Sequence, residues 1–509
     1  MKENIHDVLI IGAGISGIGA GIRLRENGFA NFVILEKAAD LGGTWRDNTY
    51  PGCACDVPSA LYSHSFAQKP DWSRTFAGQS EILNYVRATA EQHGIVPFIR
   101  FHQAVEHAQW READNLWVVH SGDHVYFART LIACSGYLHE PNVPAIPGLR
   151  DFPGKVFHSA RWDHEHDLRG ERVAVVGTGA SAIQFVPEIQ PQVRELTLFQ
   201  RTPQWVLPKP DRNLPDAQQR LLKLPGMMPG LRTLLYGGFE TFGIGFRRPK
   251  ILQRLQKLAE AHIHWHIRDP ALRASLTPDY TLGCKRVLMS NDYYPALNEP
   301  NVAVHATGLR EVRGNTLIGQ DGSTCEADTI ILGTGFFVTE PPIAERIFDD
   351  QGLSLSEHWH DGMQAYRGTT IHGFPNAFMV LGPNLGIGHN SAFIVIEAQL
   401  NYIMSALKKM HRKGWNRMEV KADAQTEYNR RVQKDLQHTV WNAGGCSSYY
   451  LDRNGFNSVG FPWTTFTMRR LLRSFDARNY HVTPSSNAGS PDSGSPGAQP
   501  WTGQPLPGQ

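Results

Sequence analysis

The sequence predicts an α/β protein made of two Rossmann-like dinucleotide-binding folds with a helical insertion. Two of the observations behind this are glycine-rich turns: residues 7–17 and 172–182 each read as a short apolar strand, a turn and the start of a helix. The third is the block 208–279, where the pattern changes to helical periodicity with charged faces. A chain of 509 residues has room for roughly three domains.

The first turn has the features of a flavin nucleotide site. The N-terminal strand leads into Gly12, Gly14 and Gly17, and the apolar strand 32–35 ends in Glu36, about twenty residues further on. The glycines let the backbone approach a pyrophosphate at the N-terminus of the following helix, and the acid suits ribose hydroxyls. The N-terminal position of this unit favours FAD.

The second turn differs from the first at the residue that would meet the ribose. The turn carries Gly177, Gly179 and Ser181, and the strand after its helix ends at Arg201 and Thr202. An arginine with a neighbouring hydroxyl suits the 2′-phosphate of NADPH, whereas an acid suits a free ribose. The alternative is that Arg201 is a solvated surface residue.

Composition excludes several other classes of protein. The balance of 50 Lys and Arg against 48 Asp and Glu is too even to indicate a nucleic-acid partner. No apolar run approaches the ~18–20 residues of a membrane helix, and the N-terminus does not read as a signal peptide, so we expect a cytoplasmic protein. We expect no metal site, because His262, His264 and His266 are spread around a helix. The six cysteines fit a reducing compartment and do not form a disulfide framework; they are Cys53, Cys55, Cys134, Cys284, Cys325 and Cys446.

Two further segments carry residue types suited to a cofactor site. Residues 41–58 are too rich in glycine, proline and aromatics for a helix or a central strand, and they contain Asp56. Lys285 and Arg286 stand where the chain returns from the helical block to the sheet. The alternatives are that Asp56 caps a backbone N–H in a turn and that Lys285 and Arg286 are a solvated pair.

Between the two nucleotide units lies a pattern that resembles a family fingerprint. The pattern F-x-G-x-x-x-H-x-x-x-W-D is carried by Phe152, Gly154, His158, Trp162 and Asp163. It resembles the fingerprint of the type I Baeyer–Villiger monooxygenases, class B flavoprotein monooxygenases related to the flavin-containing monooxygenases. The resemblance, which spans roughly residues 5–480, implies FAD, NADPH and O2, with a ketone converted to an ester or lactone through a C4a-peroxyflavin.

The resemblance also implies roles for single residues. Asp56 would lie near the isoalloxazine and orient the catalytic Arg286, while Lys285 would assist the NADPH phosphate. Arginine is suited to hold an anion of activated oxygen because it stays charged and donates in a planar fork. The fingerprint residues would form a linker that couples cofactor position to domain rotation. The flavin would be lined by Gly43, Thr44, Trp45 and Tyr50.

The predicted domains alternate along the chain. The FAD-binding domain has two parts, as does the NADPH-binding domain, and a helical subdomain and a disordered tail complete the chain. Their predicted bounds are 1–150 and 336–482 for FAD, 151–207 and 280–335 for NADPH, with the fingerprint linker at 152–163, 208–279 for the helical subdomain and 483–509 for the tail.

Several alternatives stay open. Arg46-Asp47 after Trp45, and Cys53, depart from the best-known cyclic-ketone enzymes, which leaves aliphatic, cyclic and aryl ketones possible. The runner-up activity is oxidation of sulfides or amines, as in flavin-containing monooxygenases. A disulfide or ferredoxin-type reductase is a further alternative, although the C-x-C spacing of Cys53 and Cys55 is narrower than in flavin disulfide reductases. A non-catalytic nucleotide sensor is the last, and the sequence does not predict the oligomeric state.

Overall fold

The computed structural model describes residues 5–484. Within this range the strands are β1 (Ile5–Ile11), β2 (Phe32–Leu35), β3 (Ile99–Arg100), β4 (His107–Arg111), β5 (Leu116–Ser121), β6 (His124–Ala133), β7 (Lys155–His158), β8 (Arg172–Val176), β9 (Glu195–Phe199), β10 (Val206–Leu207), β11 (Leu288–Met289), β12 (Val302–His305), β13 (Leu309–Arg313), β14 (Thr316–Gly319), β15 (Thr324–Glu326), β16 (Thr329–Leu332), β17 (Ile347–Phe348), β18 (Ala377–Met379), β19 (Trp415–Val420) and β20 (Tyr480–Pro484).

The α-helices of the described range are α1 (Ile15–Glu26), α2 (Thr44–Asp47), α3 (Gln79–Gln92), α4 (Ala182–Ile189), α5 (Asp216–Leu222), α6 (Met227–Arg247), α7 (Pro249–His266), α8 (Pro270–Leu276), α9 (Tyr293–Leu297), α10 (Leu355–His358), α11 (Ala392–Lys413), α12 (Ala422–Leu436), α13 (Val440–Ala443) and α14 (Thr465–Leu471). None of these helices is long and apolar enough to cross a membrane.

The first sheet holds the N-terminal nucleotide unit. Its order is β17-β4-β5-β6-β1-β2-β3, with β18 also paired to β6. β1 runs parallel to β2 and β6, and β4, β5 and β6 form an antiparallel meander. Apolar residues fill β1 and β2 because helix α1 covers one face of the sheet and the meander continues its edge. Ser391 caps α11 by accepting a hydrogen bond from Phe393 N–H, as its place before an apolar helix predicts.

The second sheet is parallel throughout and holds the other nucleotide unit. Its order is β12-β9-β8-β16-β7, and the antiparallel strands β13, β14 and β15 form a separate small sheet. The helices α5 to α8 lie within the block 208–279, as predicted. Open parallel sheets bind ligands at the carboxyl ends of their strands, which places the glycine turns after β1 and β8 at the functional edge of each sheet.

Two features of this region go beyond the sequence predictions. Residues 155–158 of the fingerprint segment form β7, an edge strand paired in parallel with β16. Cys284 and Cys446 form a disulfide across 162 positions of sequence. Tertiary packing brings the two cysteine segments together: close to the disulfide, Thr281 N–H donates a hydrogen bond to the Gly444 carbonyl oxygen at 2.9 Å.

The predicted disordered tail, residues 483–509, lies outside the described residues except at its start. Thr483 and Pro484 belong to β20, which pairs antiparallel with β19. Among the described residues there is no cluster of His, Cys, Asp and Glu that would hold a metal ion.

Candidate active site

The first nucleotide turn opens onto a cavity of about 200 Å³. Gly12 lies at φ +97°, and a Cβ there would stand 2.8 Å from the Cys134 carbonyl oxygen. Gly17 lies under the turn, where a Cβ would meet the Gly12 oxygen at 1.8 Å, so its role is the packing of α1. The close backbone packing therefore requires the glycines. Of the predicted flavin-site residues, the cavity is lined by Gly12, Gly14, Glu36, Gly43, Thr44 and Trp45.

Glu36 is held at the rim of this cavity by the glycine turn itself. Its Oε2 accepts a hydrogen bond from Ala13 N–H at 2.9 Å, and its Oε1 accepts one from Ala38 N–H at 3.0 Å. Arg46 Nη1 donates to the same Oε1 at 3.0 Å. The side chain is only 5% exposed, so these contacts hold the carboxylate in one position beside the cavity.

A second, wider cleft of about 520 Å³ lies at the carboxyl edge of the parallel sheet. Gly177 lies at φ +105°, and a Cβ there would stand 2.5 Å from the Gly333 carbonyl oxygen. The predicted NADPH residues that line this cleft are Gly177, Gly179, Arg201, Thr202 and Lys285, and Arg286 lines it as well.

Two of the cations of the cleft, Arg201 and Lys285, are close to each other. Burial lowers the pKa of Lys285, the neighbouring charge of Arg201 lowers it further, and the charge of Asp279 acts the other way. Within residues 5–484 neither cation forms an ion pair with a carboxylate within 4 Å. Two such cations suit a dianion such as a phosphate monoester.

Arg286 and Asp56 form a bidentate ion pair although 230 positions separate them. Arg286 Nε donates to Asp56 Oδ2 at 2.6 Å, and Nη2 donates to Oδ1 at 2.7 Å. Burial opposes ionisation of Asp56, but the charge and hydrogen bonds of Arg286 outweigh it and lower the pKa of the carboxyl. The Asp56 carboxylate in turn raises the pKa of Arg286, so both groups stay charged.

The bidentate geometry leaves part of the guanidinium available. Nη1 of Arg286 has no hydrogen-bond partner among the described residues, and the side chain is 40% exposed toward the cleft. Tyr449 lines the same cleft, and the ring of Tyr450 stacks on the ring of Tyr449 with the centroids 4.7 Å apart.

The charge of Arg286 also acts on residues of the first cavity. Tyr137 lines that cavity, and although burial raises the pKa of the Tyr137 hydroxyl, the charge of Arg286 acts against the rise. Tyr62 lines it too; burial raises the pKa of its hydroxyl, and the charges of Asp56 and Arg286 act on it in opposite directions. The ion pair therefore lines the second cleft through Arg286 and acts electrostatically on the first cavity.

The fingerprint residues contact both halves of the molecule. The Trp162 ring lies 5.3 Å from that of Phe185 on α4, and the His158 ring lies 5.8 Å from that of Phe336. Burial lowers the pKa of His158 to about 4, so the imidazole is neutral. Asp163 forms an ion pair with Lys155, with Nζ and Oδ2 2.9 Å apart. Phe152 is buried, and the missing side chain of Gly154 leaves room for the Asp328 carbonyl oxygen. None of the five fingerprint residues lines the cleft.

Four of the predicted catalytic and cofactor-binding residues do not line either cavity in the described part of the chain: Gly17, Tyr50, Asp56 and Ser181. Tyr50 instead donates a hydrogen bond to Gln184 Oε1 on α4 at 2.9 Å, which ties the two nucleotide units together. Ser181 stands just before α4 and also faces Tyr50. A hydrogen bond to a residue 134 positions away has no local sequence signal.

Sequence reasoning missed Arg46 and Tyr137 as lining residues of the first cavity. The signal for Arg46 was present, because it follows Trp45 in the loop that was assigned to the flavin site. Tyr137 follows the small-residue turn after β6 and gave no comparable signal. Cys53 and Cys55 are both free thiols, so they are not paired with each other in the described structure. Burial raises the pKa of Cys53 to about 11.

Two dinucleotide folds, each with a cavity at its glycine turn and the second with a cationic cleft, define a pyridine-nucleotide-dependent oxidoreductase. A family model described as pyridine nucleotide-disulphide oxidoreductase matches residues 9–226. A Baeyer-Villiger monooxygenase of Streptomyces coelicolor is 49% identical over 486 residues, which cover 94% of each chain. One of Pseudomonas aeruginosa is 46% identical over 481 residues, covering 94% of this chain and 91% of the relative. The chain belongs to the Baeyer–Villiger monooxygenase family.

Solved structures agree with this assignment. The cyclohexanone monooxygenase from Rhodococcus sp. Phi1 bound to NADP+ is 28% identical, with a TM-score of 0.84 over 95% of this chain and 100% of that one. An oxidized steroid monooxygenase bound to NADP is 27% identical, with a TM-score of 0.84 over 94% of this chain and 100% of that one.

Proposed function

We propose that this chain uses FAD and NADPH to insert one oxygen atom of O2 beside the carbonyl of a ketone, with Arg286 as the catalytic residue. The observation that carries the proposal is the geometry of its ion pair with Asp56. One edge of the guanidinium, Nε and Nη2, is fixed at 2.6 and 2.7 Å while Nη1 is left to donate into the cleft.

The residues present fit both cofactors. For FAD, the turn at Gly12 and Gly14 brings backbone close to the cavity, the first N–H groups of α1 face it, and Glu36 stands at its rim. For NADPH, Arg201, Thr202 and Lys285 provide cations and a hydroxyl for a 2′-phosphate. The two parts of each predicted domain, 1–150 with 336–482 and 151–207 with 280–335, are proposed to hold one cofactor each.

The chain's own residues bind, orient and stabilise. When bound and reduced, the flavin supplies activation of O2. Arg286 Nη1 would donate to the oxygen that becomes anionic as a ketone carbonyl is attacked, which is where a preorganised donor lowers the barrier most. Asp56 holds the fork in place, because two hydrogen bonds fix the plane of the guanidinium. Arg286 stays charged at working pH, since Asp56 raises its pKa.

The experiment is a product assay with FAD-loaded protein, NADPH and O2. The panel contains an aliphatic, a cyclic and an aryl ketone together with a thioether. We expect an ester or lactone, with NADPH and O2 consumed in step with product. Sulfoxide as the only product would show a heteroatom oxygenase instead. NADPH oxidation that needs an artificial acceptor and consumes no O2 would show a reductase.

A further inference from the structure

The disulfide lies beside the catalytic ion pair on one side and the cleft wall on the other. Cys284 is fully buried and comes immediately before Lys285 and Arg286. Cys446 is half-buried and comes immediately before the residues 447–449 that line the cleft. The bond therefore joins the segment that carries Arg286 to the segment that faces it.

Little else holds the facing segment in place. Within the described chain no backbone hydrogen bond joins residues 445–449 to another segment, and the nearest anchor is Thr281 N–H donating to the Gly444 carbonyl. Tyr449 is 41% exposed. Tyr450 is buried against Trp441, with ring centroids 5.4 Å apart, which anchors only the far end. Without the disulfide, residues 445–449 would rest on that one hydrogen bond and on local turns.

The environment of the bond suits thiol–disulfide exchange. Cys446 is the partly exposed residue of the pair, so an incoming thiolate attacks its sulfur and Cys284 leaves as a thiolate. Lys285 and Arg286 are adjacent cations, and positive charge favours a leaving thiolate. A second thiol of the reductant then resolves the mixed disulfide. Overall the two protein cysteines gain two electrons and two protons, and the dithiol is oxidised to a disulfide.

We propose that Cys284–Cys446 is a redox-sensitive site at which a dithiol reductant controls how tightly NADPH oxidation is coupled to oxygen transfer. The reduced form lets residues 445–449 move, so Tyr449 no longer holds its place in the wall of the cleft that Arg286 also lines. The NADPH-binding turn at Gly177 lies between β8 and α4 and contains neither cysteine. NADPH oxidation should therefore persist while ester formation falls. This inference rests on the proposed role of Arg286.

The first measurement is independent of catalysis. Protein purified without reductant and then denatured should show four reactive thiols, Cys53, Cys55, Cys134 and Cys325, and two more after dithiol treatment. Hydrogen–deuterium exchange of the FAD-loaded protein should increase in residues 444–451 after dithiol treatment and stay unchanged in β8. Six thiols before treatment, or unchanged exchange in this segment, would overturn the proposal.

The second measurement follows ester and H2O2 per NADPH consumed. Dithiol treatment should lower ester yield by about tenfold or more, because misplacement by about 1 Å can cost a hundredfold. The double variant Cys284→Ser with Cys446→Ser should start in the uncoupled state and not respond to dithiol. Cys325→Ser, a free half-buried cysteine on β15, is the matched control and should respond like the parent.

The two proposals fail in different ways. Equal coupling before and after reduction, in protein whose thiols were counted, would reject the redox control and leave Arg286 untouched. Full ester formation by an Arg286 variant would reject the catalytic role, whatever the response to dithiol. If the double variant does not fold, dithiol treatment of the parent protein still decides the question.

Discussion

Replacing Arg286 with alanine should separate NADPH oxidation from oxygen transfer. The ion pair with Asp56 uses Nε and Nη2, so the substitution removes a donor at Nη1 that is held in place before reaction. Loss of one preorganised donor to a developing oxyanion typically lowers kcat by about 10²–10³, or about 3–4 kcal/mol. The substitution also leaves the Asp56 side chain, 24% exposed, without its cation, so the pKa of that carboxyl should rise.

The assay measures NADPH consumption, H2O2 release and ester in the same reaction. Arg286→Ala should oxidise NADPH and release H2O2 with ester reduced by that factor, and Arg286→Lys should fall between, since lysine keeps the charge and loses the fork. Arg172→Ala is the matched control. Arg172 pairs with Asp328 in the same bidentate way, at 3.2 and 2.6 Å, at the opposite end of β8 from the cleft. Wild-type ester yield from Arg286→Ala would refute the reasoning.

Three other changes test separate parts of the account. Replacing Arg201 or Lys285 with alanine should raise KM for NADPH by about 10- to 100-fold, because a hydrogen bond to a charged group is worth about 1.5–3 kcal/mol. KM for NADH should stay unchanged. An equal rise for both nucleotides would contradict the phosphate site. Gly12→Ala should abolish FAD retention, measured by absorbance after gel filtration. Residue 12 has φ +97°, and a Cβ there would stand 2.8 Å from the Cys134 carbonyl oxygen. A variant that keeps its full flavin absorbance would contradict this. Burial opposes ionisation of Glu240, but hydrogen bonds from His389, Thr465 and Asn390 lower its pKa to about 2. Because the pKa is lower in the folded state, ionised Glu240 contributes about 3 kcal/mol to the free energy of unfolding above about pH 4.5, and this contribution is lost as the pH falls toward 2. Glu240→Gln should therefore flatten the dependence of Tm on pH in that window.

Local pattern predicted the nucleotide folds well. The strand 32–35 is β2 with the same bounds, and the strand 172–176 is β8, because apolar runs before a glycine turn have few other conformations. The linker at residues 152–163 is what the family resemblance implies, and the strand 155–158 within it was not predicted, because four residues beginning with lysine carry no alternation that distinguishes a strand.

Contacts between distant residues were beyond local reasoning. The pairing of Asp56 with Arg286 was expected only through the family resemblance, and the bond between Cys284 and Cys446 was not expected at all. Both depend on how the segment after α8 packs against distant parts of the chain, and neither cysteine has neighbours whose pattern reports its partner. The contact of Tyr50 with Gln184 belongs to the same class.

The central claim is that activated oxygen is delivered from the flavin to a ketone beside Arg286. The most direct measurement is the isotope content of the product after turnover under O2 labelled with the heavy isotope. The account predicts one labelled oxygen atom in the ester or lactone and the other in water. A product without label, or NADPH oxidation that yields only labelled H2O2 with every ketone and thioether offered, would contradict it.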